Sequence, residues 1–285
     1  MTSVPHRPLC RLMAALCILL SLSSTLTVLA QQQTGSTPRL LVFSRTLDYR
    51  HDSIPAAISA LERMGQDSQS FQVTATEDET MFRDDTLSQF AAIAFLSNSQ
   101  VLGQDAPQVL DEQGIEALEQ WLGRGGALIG LHAGCACLFN TPQFGVAMGS
   151  WFNYHPTISN VTFLKAEPHV STAMLPERYT VFEETYNFLT DPRDVNATVI
   201  LTPDPESYQD PEFATRGRYQ GSPHPSAWYR EEAVSLGNGT QSTAGQMTGR
   251  LWFTSLGHTI ETWQSPTHLA HVQAGIDWAL QGTAK

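Results

Sequence analysis

The sequence predicts a three-layer α/β domain, a mostly parallel sheet with helices on both faces. Two observations carry that expectation. Strand-like apolar runs alternate with helix-like amphipathic runs through the first half of the chain, the order a doubly wound sheet needs. Some of those runs, "FAAIAFLS" (Phe90 to Ser97) above all, are apolar almost without a break, as strands covered on both faces are. With 285 residues, 41% of them apolar, the chain can fill one large core or two small ones.

"RLLVFSR", Arg39 to Arg45, reads as the first buried strand. Ser53 and Pro55 open a helix through "AAISALERMG" that stops at Gly65, with Ile54, Ile58 and Leu61 recurring near a period of 3.6. "FQVTATED" supplies the second strand, from Phe71 to Thr76, and "FAAIAFLS" the third. "DEQGIEALEQWLGRGG" is a helix opened by acidic residues and closed by glycines, with Ile115, Leu118 and Leu122 in one stripe, and it feeds the strand "ALIGLHA". Beyond Asn160 the chain turns strand-rich, in "VTFLKAE", "YTVFEETYNF", "NATVILTPD", "HPSAWYRE" and "GRLWFTSLG". A last helix starts near Pro266 and buries Leu269, Val272, Ile276 and Trp278. No linker or repeat separates two bodies, so residues 39–285 are expected to form one domain behind a polar lead-in at 31–38.

Residues 1–30 are expected to be a signal peptide, which makes the protein secreted and extracellular. Arg7 and Arg11 precede an apolar run from Leu12 to Leu20, and Val28 and Ala30 are the small residues a signal peptidase reads. An uncleaved anchor is the alternative, disfavoured by the short apolar run and the break at "SLSSTLT"; the mature form is therefore expected to hold no membrane segment. Cleavage removes two of the 16 basic residues and none of the 28 acidic ones, so 14 stand against 28, a net of −14. That balance excludes nucleic acid as a partner. Cys135 and Cys137 are too close in sequence to staple a domain. Sequons at Asn160, Asn196 and Asn238 read as glycan acceptors on the surface.

In "GALIGLHAGCACLFN" a buried strand runs into Gly130-Leu131-His132-Ala133-Gly134. A sharp strand-to-helix turn of the form Gly-x-nucleophile-x-Gly exposes its middle residue, which here is histidine. Ligands in open sheets bind at such strand ends, and two more junctions would meet this one there: Tyr49-Arg50-His51-Asp52-Ser53 and Ser97-Asn98-Ser99. Each has a bland reading. His132 could merely support the turn, and Asp52-Ser53 could merely cap a helix. Cysteine-histidine catalysis through Cys135 is a weaker alternative.

Further chemistry-bearing residues stand at the ends of apolar runs: Tyr154, His155, His169, Glu183, Glu184, Tyr186, Asn187, His224, Trp228, His258 and Glu261. No stretch has a dedicated metal spacing, which leaves a divalent metal such as zinc, with His132 and His258 as ligands, open. Trp151, Phe152, Tyr154, Tyr186, Trp228 and Trp263 offer faces for the apolar side of a sugar ring, or else simply fill the core. "SRTLDYRHDS" contains no glycine, so no dinucleotide cradle follows the first strand, and neither nicotinamide nor flavin is expected.

Taken in order, "YRHDSI", "GGALIGLHAG", "GSWFNYHP", "EPHVSTAMLPERYTVFEETYNF", "HPSAW" and "LGHTIETW" resemble the ThuA-like family, named for trehalose utilisation, over about Leu40 to Leu280. The resemblance implies a flavodoxin-like fold similar to the class I glutamine amidotransferases, in which the elbow residue is a cysteine nucleophile where His132 stands here. It also implies His51, His132, Tyr154, His155, Glu184, Tyr186, His224, His258 and Glu261 as pocket members. Glu183 stands where the family pattern usually has aspartate, and an insertion carrying Asn238 precedes "GRLWFTSLGH".

The expected function is that of a secreted carbohydrate-active protein, acting on a glycoside or an oxidised (keto) sugar by proton transfer between imidazole and carboxylate. Glu184 is assigned as base and His132 and His258 as proton donors or metal ligands. His51, Tyr154, His155, Tyr186, His224, Trp228 and Glu261 are assigned to the small-molecule or oligosaccharide substrate. The alternatives are a non-catalytic sugar-binding protein with the same pocket, and a secreted structural domain.

Overall fold

Arg39–Phe43 forms β1, and its alternation divides it between two cores: Leu41 and Phe43 point into one, Leu40 and Val42 into the other. Both sets are buried because helices cover both faces, so a period of two leaves no polar side. The structure is a computed structural model that describes residues 37–282 except 104, 218 and 232–248. The expected signal peptide, the lead-in up to residue 36 and the Asn238 sequon lie outside the described residues.

In chain order the elements after β1 are α1 (Ile54–Ser68), β2 (Gln72–Thr76), α2 (Asp84–Leu87), β3 (Ala92–Leu96), α3 (Glu112–Gly123), β4 (Ala127–Leu131) and α4 (Pro142–Met148). There follow β5 (Phe152–Tyr154), β6 (Ser159–Lys165), β7 (Arg178–Glu183), β8 (Asn187–Phe188), β9 (Thr198–Pro203), β10 (Ala227–Arg230), β11 (Leu251–Thr254) and α5 (Pro266–Gln281). Nine strands make one sheet in the order β2-β1-β3-β4-β11-β10-β9-β6-β7, and β5 pairs with β8 apart from it.

The three-layer α/β class is as expected, but the sheet is mixed. The β1, β2, β3, β4 and β11 pairings are parallel, whereas β10, β9, β6 and β7 are joined by antiparallel ones. One core holds α3 and α4 through Leu118, Trp121, Leu122 and Phe144. The other holds α1 and α5 through Leu61, Val272 and Ile276.

Two local expectations are corrected. The first helix does not stop at Gly65 but runs on to Ser68, ending at Gln69 in the left-handed conformation. Gly65 is there because a Cβ would lie 2.6 Å from the carbonyl oxygen of Phe71. Ser53 precedes α1 but makes no side-chain cap; its hydroxyl donates to the carbonyl of Gly257, tying the start of α1 to the loop after β11.

Of the expected glycan acceptors, Asn160 lies exposed on β6 and Asn196 exposed in the left-handed turn before β9. Among the described residues no helix is long and apolar enough to cross a membrane.

Helix α5 carries two fully buried imidazoles. His271 Nδ1 donates to the carbonyl of Ser171 and its Nε2 lies 3.2 Å from the Thr254 hydroxyl, whereas neither nitrogen of His268 has a partner among the described residues. Burial, with a further push from His271, takes His268 down to about 3, and burial, aided by His169 and opposed by the Ser171 hydrogen bond, takes His271 to about 4. An unfolded chain takes up these protons below about pH 6.5, and the folded one does not until far lower. Stability from these groups is thus present above that pH and lost as acidity rises through the window toward 4. The expected loss at pH 5 is roughly 2 kcal/mol per imidazole. Denaturant unfolding at pH 7 and pH 5 checks it, and His271→Gln should flatten the difference.

Candidate metal centre and active-site cavity

The turn after β4 bends sharply because its flanks have no room for side chains. A Cβ on Gly134 would meet the carbonyl oxygen of Phe95 at 2.1 Å, and one on Gly130 would meet the Phe253 ring at 2.4 Å. Between them His132 takes φ +53, a left-handed conformation that costs a non-glycine residue about 1 kcal/mol or more. The strain aims a fully buried imidazole at the carboxyl ends of the parallel strands. Nδ1 of His132 is 2.7 Å from the carbonyl of Ser255, which only an N–H can satisfy, so Nε2 is left as a lone pair facing outward.

Three other segments bring donors to that point. His51 comes from the loop between β1 and α1, Glu184 from the end of β7, and His258 from the loop after β11. One ligand atom from each of His51, His132, Glu184 and His258 lies within 4.8 Å of all the others. The His51 ring meets those of His132 and His258 edge-on, with centroids at 4.6 and 5.3 Å.

The bonding inside this cluster is incomplete. His51 Nδ1, Glu184 Oε2 and His258 Nδ1 are buried without an aligned hydrogen-bond partner. His258 Nδ1 does approach Glu184 Oε2 to 3.1 Å, so the pair is an electrostatic contact whose angles are poor for a hydrogen bond. The Tyr186 hydroxyl, 2.9 Å from His132 Nε2, supplies the one donor aimed into the centre. Burying acceptors against one another is costly unless a cation sits among them. Three imidazoles and one carboxylate are a donor set that suits zinc or a similar divalent ion, and the Ser255 contact behind His132 is the outer support such sites use.

Charge follows the same geometry. Burial keeps His51 neutral and, with His132 alongside, pushes it down to about 2. For Glu184 burial works toward protonation, but contact with His132 and His258 and the field of His155 outweigh it and hold the carboxyl well below its usual range. Burial likewise opposes charge on His258, and the Glu184 carboxylate beside it wins, raising that imidazole. Glu184 Oε1 faces His155 Nε2 at 3.1 Å. The other ring nitrogen of His155, Nδ1, lies 2.8 Å from the carbonyl of Pro156, so both ends of the imidazole are held.

Glu183 is the clamp behind the cluster. Fully buried, it accepts the backbone N–H groups of Glu184, Gly257 and His258, so one carboxylate fixes two of the four segments that carry donors. Burial pushes its own pKa up, against the pull of His132 and those N–H groups.

A cavity of about 340 Å³ opens in front of the centre, lined by His51, His155, Glu184, Tyr186 and His258 on the reactive side and by Gln100, Phe139 and Phe152 among its other walls. Asp48, Tyr49 and Ser99 also face it.

Several assigned residues are elsewhere. Trp228 is fully buried, stacked on Phe253, with its indole N–H on the carbonyl of Met148; β10 turns it into the core. Tyr154 gives its hydroxyl to Asp210. Both nitrogens of His224 are taken, Nε2 by the carbonyl of Tyr186 and Nδ1 by the Tyr208 hydroxyl, so it positions Tyr186 and has nothing left for a substrate. Glu261 is exposed at the start of a turn after β11 and lines no part of this cavity. Of the aromatic faces expected to meet a sugar, only Phe152 and Tyr186 reach the cavity, and Trp263 binds the carbonyl of Gly257 from within the core. Cys135 and Cys137 are free and buried, and burial pushes both thiols far up, which removes the cysteine nucleophile. The sequence reading passed over Asp48, Gln100 and Phe139; Gln100 directly follows the Ser97-Asn98-Ser99 junction, which was the available signal.

One family's sequence model, described as ThuA, trehalose utilisation, matches residues 39–279. No curated protein matches the chain. Among solved structures, a ThuA-like protein of Bacteroides uniformis is 17% identical with a TM-score of 0.63, covering 86% of this chain and 92% of its own. One from Parabacteroides merdae is 15% identical with a TM-score of 0.61, covering 87% and 91%. A glutamine amidotransferase of Methylobacillus flagellatus gives 12% identity and a TM-score of 0.46, covering 88% and 97%. The first two likenesses establish the fold alone.

Proposed function

The chain belongs to the ThuA family, and from that premise we propose that it is a metal-dependent carbohydrate-active enzyme whose centre is held by His51, His132, Glu184 and His258. The observation that carries the reading is the convergence of one ligand atom from each of the four residues within 4.8 Å, three of these residues having a buried side-chain atom without an aligned hydrogen-bond partner. A divalent ion bound there would act as a Lewis acid on a substrate oxygen. The substrate class is a glycoside or keto sugar small enough for the cavity, consistent with the trehalose-utilisation description of the family.

In this reading the acid–base role expected of Glu184 falls to His155, and Glu184 serves the metal centre. Glu184 has one oxygen turned to the centre and the other to His155, whose side chain is 36% exposed and lines the cavity beside the reacting position. His155 is the acid–base group of this reading, and Glu184 Oε1, 3.1 Å from its Nε2, orients the ring. Tyr186 orients His132 and closes the floor of the site. We also read the protein as secreted and glycosylated, which the amino-terminal pattern and the exposure of Asn160 and Asn196 support.

Elemental analysis of untagged protein is expected to give close to one divalent ion per chain. His155→Asn should keep that ion and lose about 100-fold or more in turnover of a competent glycoside or keto glycoside. A wild-type protein that holds no metal after reconstitution overturns the centre. Saccharide binding with metal but without turnover would make the protein a sugar-binding one.

A further inference from the structure

Gln100 carries a side-chain N–H group that no acceptor among the described residues takes up. The segment after β3 is pinned to the turn after β4: Ser99 bridges Ala136, and the backbone N–H of Gln100 donates to the carbonyl of Ala136 at 3.0 Å. This sets the side chain, only 4% of the residue being exposed, between two backbone donors. Its Oε1 accepts from Leu138 N at 2.9 Å and from Val109 N at 3.3 Å. Those contacts also settle which end of the amide is which, since a flipped amide would set N–H against N–H. Nε2 is therefore the free end, and it is buried with no partner among the described residues.

A buried amide donor without an acceptor is destabilising, and its neighbours hold it there rather than letting it turn to a carbonyl. Gln100 lines the cavity in front of the candidate metal centre, with Phe139, Phe152 and Ala136 among the other walls. We propose that Gln100 is a substrate-binding residue whose Nε2 donates to an oxygen of a sugar-derived ligand, the apolar C–H face of which lies on Phe139 and Phe152. The proposal rests on the carbohydrate reading of this cavity and adds a specificity element to it. A sugar presenting a carbonyl or hydroxyl oxygen at that position is accepted, and its deoxy analogue is rejected. The arrangement also explains why the amide is clamped by backbone: a fixed donor discriminates where a mobile one would adapt.

Gln100→Glu tests this with the fold preserved, because a carboxylate still accepts from Leu138 N and Val109 N but offers no donor. Calorimetric titrations would use metal-loaded and metal-free protein, with methyl glucoside and its keto counterpart as probes, alongside metal stoichiometry. The expected result is a melting temperature and metal content like wild type, with affinity for at least one probe reduced on the order of 10-fold to 100-fold. Gln100→Leu, which also strands the two N–H groups, should lose both binding and melting temperature. Unchanged probe affinity in Gln100→Glu overturns the proposal and leaves the metal centre standing, as does a metal-loaded wild type that binds neither probe. Probe binding that depends on Gln100 in a protein without metal overturns the centre and leaves the proposal standing.

Discussion

Glu184→Ala is expected to cut divalent-metal affinity by about 100-fold or more, the largest functional effect of any single substitution in the cluster. Glu184 is the only anion among the four donors and contacts two of the other three, as well as His155. Oε2 lies 3.1 Å from His258 Nδ1 and 3.5 Å from His132 Nε2, and Oε1 lies 3.1 Å from His155. Without it three neutral nitrogens remain, and the charge that offsets a divalent cation is gone. Equilibrium dialysis against zinc, read by elemental analysis, gives the comparison. Affinity unchanged from wild type would mean that the carboxylate is no ligand and that the cluster is a hydrogen-bonded network of another purpose.

Gly134→Ala should be the most damaging change outside the donor set. A methyl group there would sit 2.1 Å from the carbonyl oxygen of Phe95 and 2.9 Å from its carbon, both backbone atoms of β3 in the middle of the sheet. Neither strand can step aside without breaking the β3–β4 ladder. We expect a loss of about 3 kcal/mol, at the upper end for overpacking, measured by denaturant unfolding. A loss below about 0.5 kcal/mol would show that the turn after β4 is loose enough to shift, and would weaken the case for a strained, fixed His132.

The layered class and the residues around His132 were legible because each depends on local chemistry. Continuous apolar runs mark strands buried on both faces, and Gly130 and Gly134 flag a turn too tight for side chains. His51, His155, Glu184, Tyr186 and His258 also stand where runs of apolar residues end, so their convergence follows once the sheet closes. What was not legible depended on direction and handedness. The strand-rich second half gives no sign that β10, β9, β6 and β7 are joined antiparallel, because an apolar run has no polarity. Trp228 was assigned to the pocket although the register slip between Ala227 and Trp228 and the pleat of β10 place it in the core. His224 and Tyr154 share the composition of binding residues and are saturated by Tyr186, Tyr208 and Asp210, partners far away in sequence. Gln100 was missed for the opposite reason. Nothing about a lone glutamine announces that two backbone N–H groups will hold its oxygen.

The adjacency of β4 and β11 has a bearing on how the protein comes to life. His132 and His258 follow neighbouring strands of the sheet, yet about half the chain is threaded between them, through β10, β9, β6 and β7. During synthesis and folding, loops of this length close late, since their entropy must be overcome before the contacts reward it. His51 and His132 can meet once β1, β3 and β4 pair, but His258 joins them only when β11 docks beside β4. A cation bound there would stabilise the finished molecule over precursors that lack the last strand, so that occupancy would report complete folding.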